Sequence, residues 1–273
     1  MILFKTPSGP VLELDGEYYA IPASSWDNLL NEQDIAGWLK SHAREKNRTT
    51  KPQEILAPIG TQEVWASGVT YFRSKTARME ESKDAGGATF YDKVYEADRP
   101  ELFFKATPSR VVGTGGVMHR RLDSKWIVPE PELTLVLNSA GTIIGYTCGN
   151  DLSCRDIEGE NPLYLPQAKV FKKCAALGPG ILIATSPLAA GTAIECDIVR
   201  RGANVFQGST TLSQMRRNPN ELASWLFKEE SFPVGCFLMT GTGVVPPDDF
   251  CLQTGDEVRI RIEGIGELVN GMD

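Results

Sequence analysis

From about residue 57 onward, the chain consists of short apolar segments separated by glycine and proline. Examples are PELTLVL, GTIIGYT, PGILIAT and EVRIRIEGIGELV. Segments of this length suit strands, and turn-forming residues lie between them. A series of short strands with few helical stretches favours a β-rich α+β fold over a doubly wound parallel sheet.

The first 56 residues have a different pattern. Asp15-Gly16 lies between two short apolar runs and is a two-residue hairpin signal. Apolar residues from Trp26 to Leu39 then recur at near-helical spacing, and the polar run REKNRTTKP reads as a linker. We therefore predict a small N-terminal α/β subdomain at residues 1–56 and a larger domain at residues 57–273.

Charge and apolar patterning exclude several classes of partner. The 273 residues include 28 Lys+Arg and 35 Asp+Glu, a formal net charge of −7. Nucleic acid is not expected as a partner, because no basic footprint is present. No apolar run approaches the roughly 20 residues of a membrane helix, so we expect no membrane partner and a cytoplasmic location. Six cysteines without a Cys-x-x-Cys pair predict buried free thiols.

Histidine is scarce, which limits the possible chemistry. His42 and His119 are the two histidines of the chain. A histidine-rich zinc site is excluded, and a Ser-His-Asp or Cys-His arrangement would have to use one of these two.

Carboxylates are concentrated in the segment from Trp126 to Phe171. In an extended chain Glu130 and Glu132 lie on the same face, and Pro131 between them places the stretch at a strand end or edge. A hairpin turn at residues 139–141 would return the chain and bring Asp151 beside the pair. Three oxygen ligands without histidine suit Mg²⁺, Mn²⁺ or Ca²⁺. The alternative is a solvated acidic loop.

Several motifs in this order resemble the fumarylacetoacetate hydrolase family. They are Glu130-Pro131-Glu132-Leu133, the segments Asn150–Ser153 and Arg155-Asp156, Ala168–Phe171, and the C-terminal Thr240–Gly243, Gly255-Asp256 and Ile262–Gly266. The resemblance spans roughly residues 60 to 270. It implies a mixed β-roll with flanking helices, a smaller N-terminal domain and a homodimer or larger homo-oligomer.

The resemblance also implies roles for individual residues. Glu130, Glu132 and Asp151 would be metal ligands, Lys169 an active-site cation, and Thr242 a ligand of the substrate carboxylate. Many hydrolases of the family carry a histidine where this chain has residues 69–75, VTYFRSK. Its absence puts hydrolysis of a C–C bond by a histidine–glutamate base in doubt.

Two further runs resemble one branch of the family. Pro100–Thr107 and Ile157–Gln167 are similar to the dehydratases that act on 2-keto-3-deoxypentonates. This resemblance implies a Mg²⁺-dependent lyase of pentose catabolism that takes a small anionic 2-keto acid and forms 2,5-dioxopentanoate.

For such a dehydration, the sequence provides three candidate catalytic residues. Lys169 would act either as the base, because burial beside a divalent cation favours the neutral amine, or as a fixed cation. Glu101, on the strand PELFFKA, is a candidate acid, and Glu158 is a third candidate. Gln167, Thr107 and Ser109 are candidate partners of the sugar hydroxyls.

Other interpretations are compatible with these residues. The same metal site could serve an acylpyruvate-type C–C hydrolase or an oxaloacetate decarboxylase, and a non-catalytic binding protein is a third reading. Arg155 and Asp156 are expected to form a structural pair. Further expectations are a helix beginning near Arg73, a helix following Asn218 as N-cap, and a lid at about residues 77 to 99.

Overall fold

Strands dominate the described part of the chain, as the short apolar segments predict. The structure is a computed structural model that describes residues 1–71 and 93–273. Its strands are β1 (Ile2–Thr6), β2 (Gly9–Leu14), β3 (Glu17–Ala20), β4 (Arg48–Thr49), β5 (Glu63–Gly68), β6 (Glu101–Ala106), β7 (Val111–Val112), β8 (Val117–Met118), β9 (Ile127–Val128), β10 (Pro131–Leu137), β11 (Ile143–Asp151), β12 (Ser153–Cys154), β13 (Ala175–Ile183), β14 (Ala193–Arg200), β15 (Ala203–Thr211), β16 (Cys236–Met239), β17 (Glu257–Ile262) and β18 (Gly266–Met272).

Helices are few and short among the described residues. They are α1 (Trp26–Leu30), α2 (Ile35–His42), α3 (Arg155–Glu160), α4 (Leu165–Lys169) and α5 (Pro219–Leu226), and residues 93–96 are helical as well. Single 3₁₀ turns occur at Glu45–Asn47, Pro108–Arg110, Pro162–Tyr164 and Leu212–Gln214. Asn218 caps α5 as predicted, because its side chain accepts a hydrogen bond from the backbone N–H of Asn220. Within the described ranges, no helix has the length and apolar character needed to cross a membrane.

The larger sheet has the order β4-β3-β2-β1-β13-β11-β10-β16-β5-β6, with β7 added beside β13. The pairs β16–β5 and β13–β7 are parallel and the other pairs are antiparallel. Strands β10 and β11 form the predicted hairpin and lie in the middle of this sheet, so their residues are buried on both faces. The proposed ligand residues therefore start from a rigid, central element.

A second sheet, with the order β15-β14-β17-β18-β8, packs against the first. Along β17 the buried residues alternate with exposed ones, which is the pattern of a strand with one face on a core. Leu268 of β18 lies over Gly178 of β13, where an added Cβ would be 3.3 Å from the leucine side chain. Mixed sheets with a few flanking helices confirm the predicted α+β class.

The N-terminal residues continue the larger sheet. Asp15 and Gly16 form the predicted turn between β2 and β3, with φ of 53° and 82°, and β1 pairs with β13. The helical stretch is interrupted, since α1 ends at Leu30 and α2 begins at Ile35. Residues 45–49 form a 3₁₀ turn and a short strand where the sequence predicts a linker. The division at residue 56 stays a prediction.

Leu238 provides a test of the central packing. It is fully buried on β16, opposite Leu135 of β10 and Trp65 of β5. Leu238→Ala is expected to lower the free energy of unfolding by about 2–5 kcal/mol, because the lost apolar contacts leave a cavity. Urea unfolding measures the change, and Val205→Ala on an exposed part of β15 is the control, with an effect of about 0.5 kcal/mol or less. Equal effects of the two changes would contradict this packing.

Two predictions lie wholly or partly outside the described residues: the helix near Arg73 and most of the lid at about residues 77 to 99. The prediction about cysteines is confirmed, because all six are free and five are buried. Burial raises the pKa of Cys148 to about 12 and that of Cys154 to about 11, so neither thiol flanking Asp151 has thiolate character near neutral pH.

Candidate active site

The β10–β11 hairpin brings three carboxylates together. Pro131 is opposite Asn150, so Glu130 and Glu132 lie beside Asp151, whose backbone N–H donates to the carbonyl of Glu130 at 3.0 Å. Their carboxylate oxygens approach one another within 4.8 Å. The three residues are at most 4% exposed. The alternative of a solvated acidic loop is therefore wrong.

Lys169 provides a cation for this cluster from the last turn of α4. Its ammonium donates to Oε2 of Glu130 at 2.5 Å, to Oδ2 of Asp151 at 3.1 Å and to Oγ of Ser153 at 2.6 Å. Its side chain is 1% exposed. The expectation that Lys169 is a cation beside the metal ligands is thus consistent with its position.

A second buried ammonium, on Lys105 of β6, lies on the other side of Asp151. Its Nζ is 2.5 Å from Oδ1 of Asp151 and donates to the backbone carbonyls of Leu152 and Lys169. Sequence reasoning missed this residue. A signal was present, because Lys105 occurs at alternate positions with Glu101 and Phe103 in an apolar segment of the sequence.

Arg155 corrects one expectation. It does not pair with Asp156, because adjacent residues on a helix point in different directions. Its guanidinium donates to Oε1 of Glu130 at 2.8 Å and lies 3.8 Å from Glu158. Asp156 instead accepts from the hydroxyl of Ser124 at 2.6 Å and from a backbone N–H. Arg155 therefore belongs to the buried charge network.

Glu158 lies behind the metal-ligand carboxylates. Its Oε1 is 3.5 Å from Nζ of Lys169, and its side chain is buried. This position lets Glu158 act on Lys169 and Arg155, but it does not line the cavity that the three ligand carboxylates border.

The glycine-rich turn after β16 forms another wall of that cavity. The N–H of Gly241 donates to Oε2 of Glu132 at 2.5 Å. Gly241 has a φ of 89°, and a Cβ there would lie 2.0 Å from Oγ1 of Thr70, so the turn requires glycine. The next residue, Thr242, lines the cavity, and its hydroxyl is hydrogen-bonded to the backbone of Val244.

Glu101 reaches the rim of the cavity from the start of β6. It pairs with Gly68, which lines the cavity, and a Cβ on Gly68 would lie 1.9 Å from Oε2 of Glu101. Glycine at position 68 therefore makes room for this carboxylate. The position fits the predicted acid, although the role itself stays a prediction.

Three predicted substrate-binding residues lie elsewhere. Thr107 and Ser109 are beyond the end of β6, where their hydroxyls contact each other at 3.0 Å. Gln167 is exposed on α4, and its carbonyl accepts from Arg121. None of the three is among the described residues that line the cavity, so their role in binding stays a prediction without geometric support.

Both histidines of the chain lie away from the cavity. His42 stacks on Trp38, with ring centroids 3.9 Å apart, and His119 pairs with Asp273 at 3.0 Å. Of the stretch 69–75, where related hydrolases carry histidine, Val69 lines the cavity, and residues 72–75 lie outside the described part of the chain. Acid–base chemistry at this site therefore falls to carboxylates and lysine.

The surroundings shift the pKa values of two of the three carboxyl groups in opposite directions. Burial raises the pKa of Glu132 well above its ordinary value, and the negative charges of Asp151 and Glu130 raise it further. Burial also acts to raise the pKa of Asp151, but the ammonium groups of Lys105 and Lys169 together hold that pKa below its ordinary value.

The donor set fits a hard divalent cation. Three carboxylate oxygens within 4.8 Å of one another, without histidine or cysteine, are the ligands that Mg²⁺ prefers. The negative charges of Asp151 and Glu130 contribute to the raised pKa of Glu132. A bound divalent cation would offset this repulsion. The residues that would hold it are Glu130, Glu132 and Asp151.

Comparison with known proteins identifies the family. The model of the fumarylacetoacetate (FAA) hydrolase C-terminal domain matches residues 64–272. A "probable 2-keto-3-deoxyxylonate dehydratase" of Haloferax volcanii is 47% identical over 222 residues, which are 81% of this chain and 75% of the relative. A "2-dehydro-3-deoxy-D-arabinonate dehydratase" of Saccharolobus solfataricus is 43% identical over 240 residues, 86% of this chain and 78% of the relative.

A solved structure shares the whole fold. It is described as "2-keto-3-deoxy-D-arabinonate dehydratase complexed with magnesium and 2,5-dioxopentanoate". It matches with a TM-score of 0.85 at 36% identity, covering 100% of this chain and 99% of that one. This chain belongs to the fumarylacetoacetate hydrolase family.

Proposed function

We propose that this protein is a Mg²⁺-dependent dehydratase that converts a 2-keto-3-deoxypentonate to 2,5-dioxopentanoate. One observation carries the proposal: the buried Glu130–Glu132–Asp151 cluster with Lys169 beside it, on the fold of a dehydratase whose solved structure holds magnesium and 2,5-dioxopentanoate. The two curated relatives at 43% and 47% identity carry dehydratase names of the same class.

The charge of the site supports an anionic substrate. Among the described residues, the buried network contains the carboxylates of Glu130, Glu132, Asp151 and Glu158 and the cations of Lys105, Lys169 and Arg155, which leaves one formal negative charge. A bound divalent cation would reverse that sign and so attract a 2-keto acid. When bound, Mg²⁺ would accept the keto and carboxylate oxygens as ligands and acidify the C3 proton of the substrate.

Lys169 is the proposed base. Its Nζ is held by three oxygens at 2.5 to 3.1 Å. Glu130 and Asp151 belong to the central β10–β11 hairpin, and Ser153 lies on β12, which pairs with β9. A base needs such fixed geometry beside the ligands that would place C3 of the substrate. Phe103 covers the ammonium at 5.6 Å from its ring centroid and shields it from water.

Glu101 is the proposed acid, and Glu158 is the alternative. Neither residue is among the described residues that line the cavity, but the carboxylate of Glu101 lies against Gly68, which does line it, whereas Glu158 contacts Lys169. The position of Glu101 favours it as the group that protonates the departing C4 hydroxyl. Thr242, which lines the cavity, is the proposed ligand of the substrate carboxylate.

These roles balance the reaction. A proton leaves C3, a proton joins the C4 hydroxyl, and water departs. The hydroxymethyl group at C5 then becomes an aldehyde. It loses one C–H and one O–H hydrogen, and C3 and C4 each gain one. The product is the substrate less one water, with no external oxidant or reductant.

The raised pKa of Glu132 predicts how Mg²⁺ binding depends on pH. Because the folded, metal-free protein holds a proton on Glu132 above its ordinary range, binding of Mg²⁺ must release that proton. We expect Mg²⁺ affinity to increase as pH rises toward the raised pKa. Calorimetric titration in two buffers with different ionisation enthalpies, repeated from acidic to neutral pH, measures the protons released, and a value of zero at every pH would contradict the assignment.

A homodimer or larger homo-oligomer and a cytoplasmic location stay predictions from the sequence. Light scattering tests the first. The site residues named above all belong to one chain.

Rates with competing substrates test the proposed function. The protein is incubated with 2-keto-3-deoxy-arabinonate and 2-keto-3-deoxy-xylonate, with an acylpyruvate, and with oxaloacetate, each at saturating Mg²⁺. The highest kcat/KM is expected for one of the two pentonates. A higher kcat/KM for pyruvate release from the acylpyruvate or from oxaloacetate would overturn it, and no turnover of any substrate would favour a non-catalytic binding protein.

A further inference from the structure

Lys105 is completely buried, and oxygens of the active-site segments surround its ammonium. The side chain has a relative exposure of 0%. Nζ is 2.5 Å from Oδ1 of Asp151, 2.9 Å from the carbonyl oxygen of Leu152 and 2.5 Å from the carbonyl oxygen of Lys169. An ammonium has three N–H donors, so these three oxygens are as many as it can serve.

The three acceptors identify what Lys105 does. Asp151 is a proposed metal ligand, Leu152 follows it in the chain, and Lys169 is the proposed base. Lys169 in turn donates to Oδ2 of Asp151, the second oxygen of the same carboxylate. Two ammonium groups therefore bracket the Asp151 carboxylate, and one of them also fixes the backbone of the residue that carries the other.

The strand that carries Lys105 also carries the proposed acid. Glu101, Phe103 and Lys105 all lie on β6. The carboxylate of Glu101 lies against Gly68, which lines the cavity, and the ring centroid of Phe103 is 5.6 Å from Nζ of Lys169. Contacts of Lys105 thus join β6 to the end of β11 and to the end of α4.

We propose that Lys105 is a positioning residue that sets the distance between the proposed metal ligand Asp151, the proposed base Lys169 and the strand of the proposed acid. This inference rests on the proposed function. Lys105 would not touch the substrate, because it is not among the described residues that line the cavity, whereas Lys169 is.

Removal of the Lys105 ammonium would affect Mg²⁺ binding differently if Lys105 had no positioning role. If the ammonium only balanced buried carboxylates, its removal would leave more negative charge for a divalent cation and would tighten Mg²⁺ binding. If Lys105 orients the Asp151 carboxylate, its removal weakens both Mg²⁺ binding and turnover, as loss of an outer partner of a metal ligand does by about 10–100-fold.

The first test is Lys105→Met, which keeps the apolar stem and removes the ammonium. Below the melting temperature of the variant, we expect kcat for dehydration to fall by about 100-fold, KM to change by less than about fivefold, and the calorimetric Kd for Mg²⁺ to rise by about tenfold. Lys5→Met is the control, because Lys5 lies on β1, is part-buried and donates to a backbone carbonyl, that of Ile59, and neither residue lines the cavity. Its constants should match those of the parent.

A kcat within about threefold of the parent, or a Kd for Mg²⁺ that is unchanged or lower, would overturn the inference. Failure of the parent itself to dehydrate any pentonate would instead refute the proposed function.

The second test does not depend on the folding of a variant. A crystal structure of the parent with Mg²⁺ bound should keep Nζ of Lys105 within hydrogen-bond distance of the carbonyl oxygens of Leu152 and Lys169. An ammonium that leaves both carbonyls, or turns toward a bound product, would overturn the positioning role.

Discussion

Lys169→Met is expected to lower kcat for dehydration by about 10²–10⁴-fold, the range that a positioned acid or base contributes. Methionine has a similar length and no ionisable group, so it removes the amine with little change in packing. Because the ammonium is buried against Glu130 and Asp151, the comparison is made at saturating Mg²⁺, where the carboxylates keep a cation. Lys172→Met, on an exposed neighbour of the same segment, is the control.

An exchange experiment separates the two roles of Lys169. A 2-keto acid that cannot eliminate water, such as 2-oxobutyrate, is incubated in D₂O, and deuterium at C3 is followed by NMR. As the base, Lys169 is required for exchange, so the variant loses it. As a fixed cation, Lys169 could be removed with exchange retained and dehydration slowed. A kcat within about threefold of the parent would contradict both roles.

Glu132→Gln is expected to abolish the response to Mg²⁺ while preserving the fold. The amide oxygen of glutamine can still accept from the N–H of Gly241, as Oε2 of Glu132 does at 2.5 Å. The change also removes a carboxyl group whose ionisation is opposed by burial and by the neighbouring carboxylates, which together raise its pKa. The metal-free variant should therefore melt at a higher temperature than the metal-free parent at neutral pH.

Added Mg²⁺ separates the parent from this variant. At 100 times its Kd, Mg²⁺ should stabilise the parent by about 2.7 kcal/mol. The variant should gain nothing, and its Mg²⁺ affinity should fall by more than the roughly 10–100-fold that loss of an outer partner causes. Glu160→Gln, exposed at the end of the same helix as Glu158, is the control. Equal stabilisation of parent and Glu132→Gln by Mg²⁺ would refute the metal site.

The sequence predicts the metal-ligand cluster because its geometry is local. Glu130, Glu132 and Asp151 lie on two strands joined by one turn, and strand periodicity with a hairpin is enough to bring them together. The hairpin at Asp15-Gly16 and the N-cap of α5 are predictable for the same reason.

Long-range contacts account for what the sequence does not predict. Lys105 reaches Asp151 across 46 positions of the chain, and Arg155 pairs with Glu130 rather than with its neighbour Asp156. Those partners depend on how the end of β6 and the start of α3 pack on the central hairpin. The motif that contains Gln167 predicts a role in substrate binding, but Gln167 is exposed on α4, whereas Lys169 on the same helix is buried.

The most direct test of the central claim is the identity of the product formed from ¹³C-labelled 2-keto-3-deoxypentonate. With Mg²⁺ present, NMR should show an aldehyde carbon of 2,5-dioxopentanoate and no pyruvate, and an excess of chelator should stop its formation until Mg²⁺ is restored. Formation of pyruvate, or of the same aldehyde at the same rate under full chelation, would contradict a Mg²⁺-dependent dehydratase.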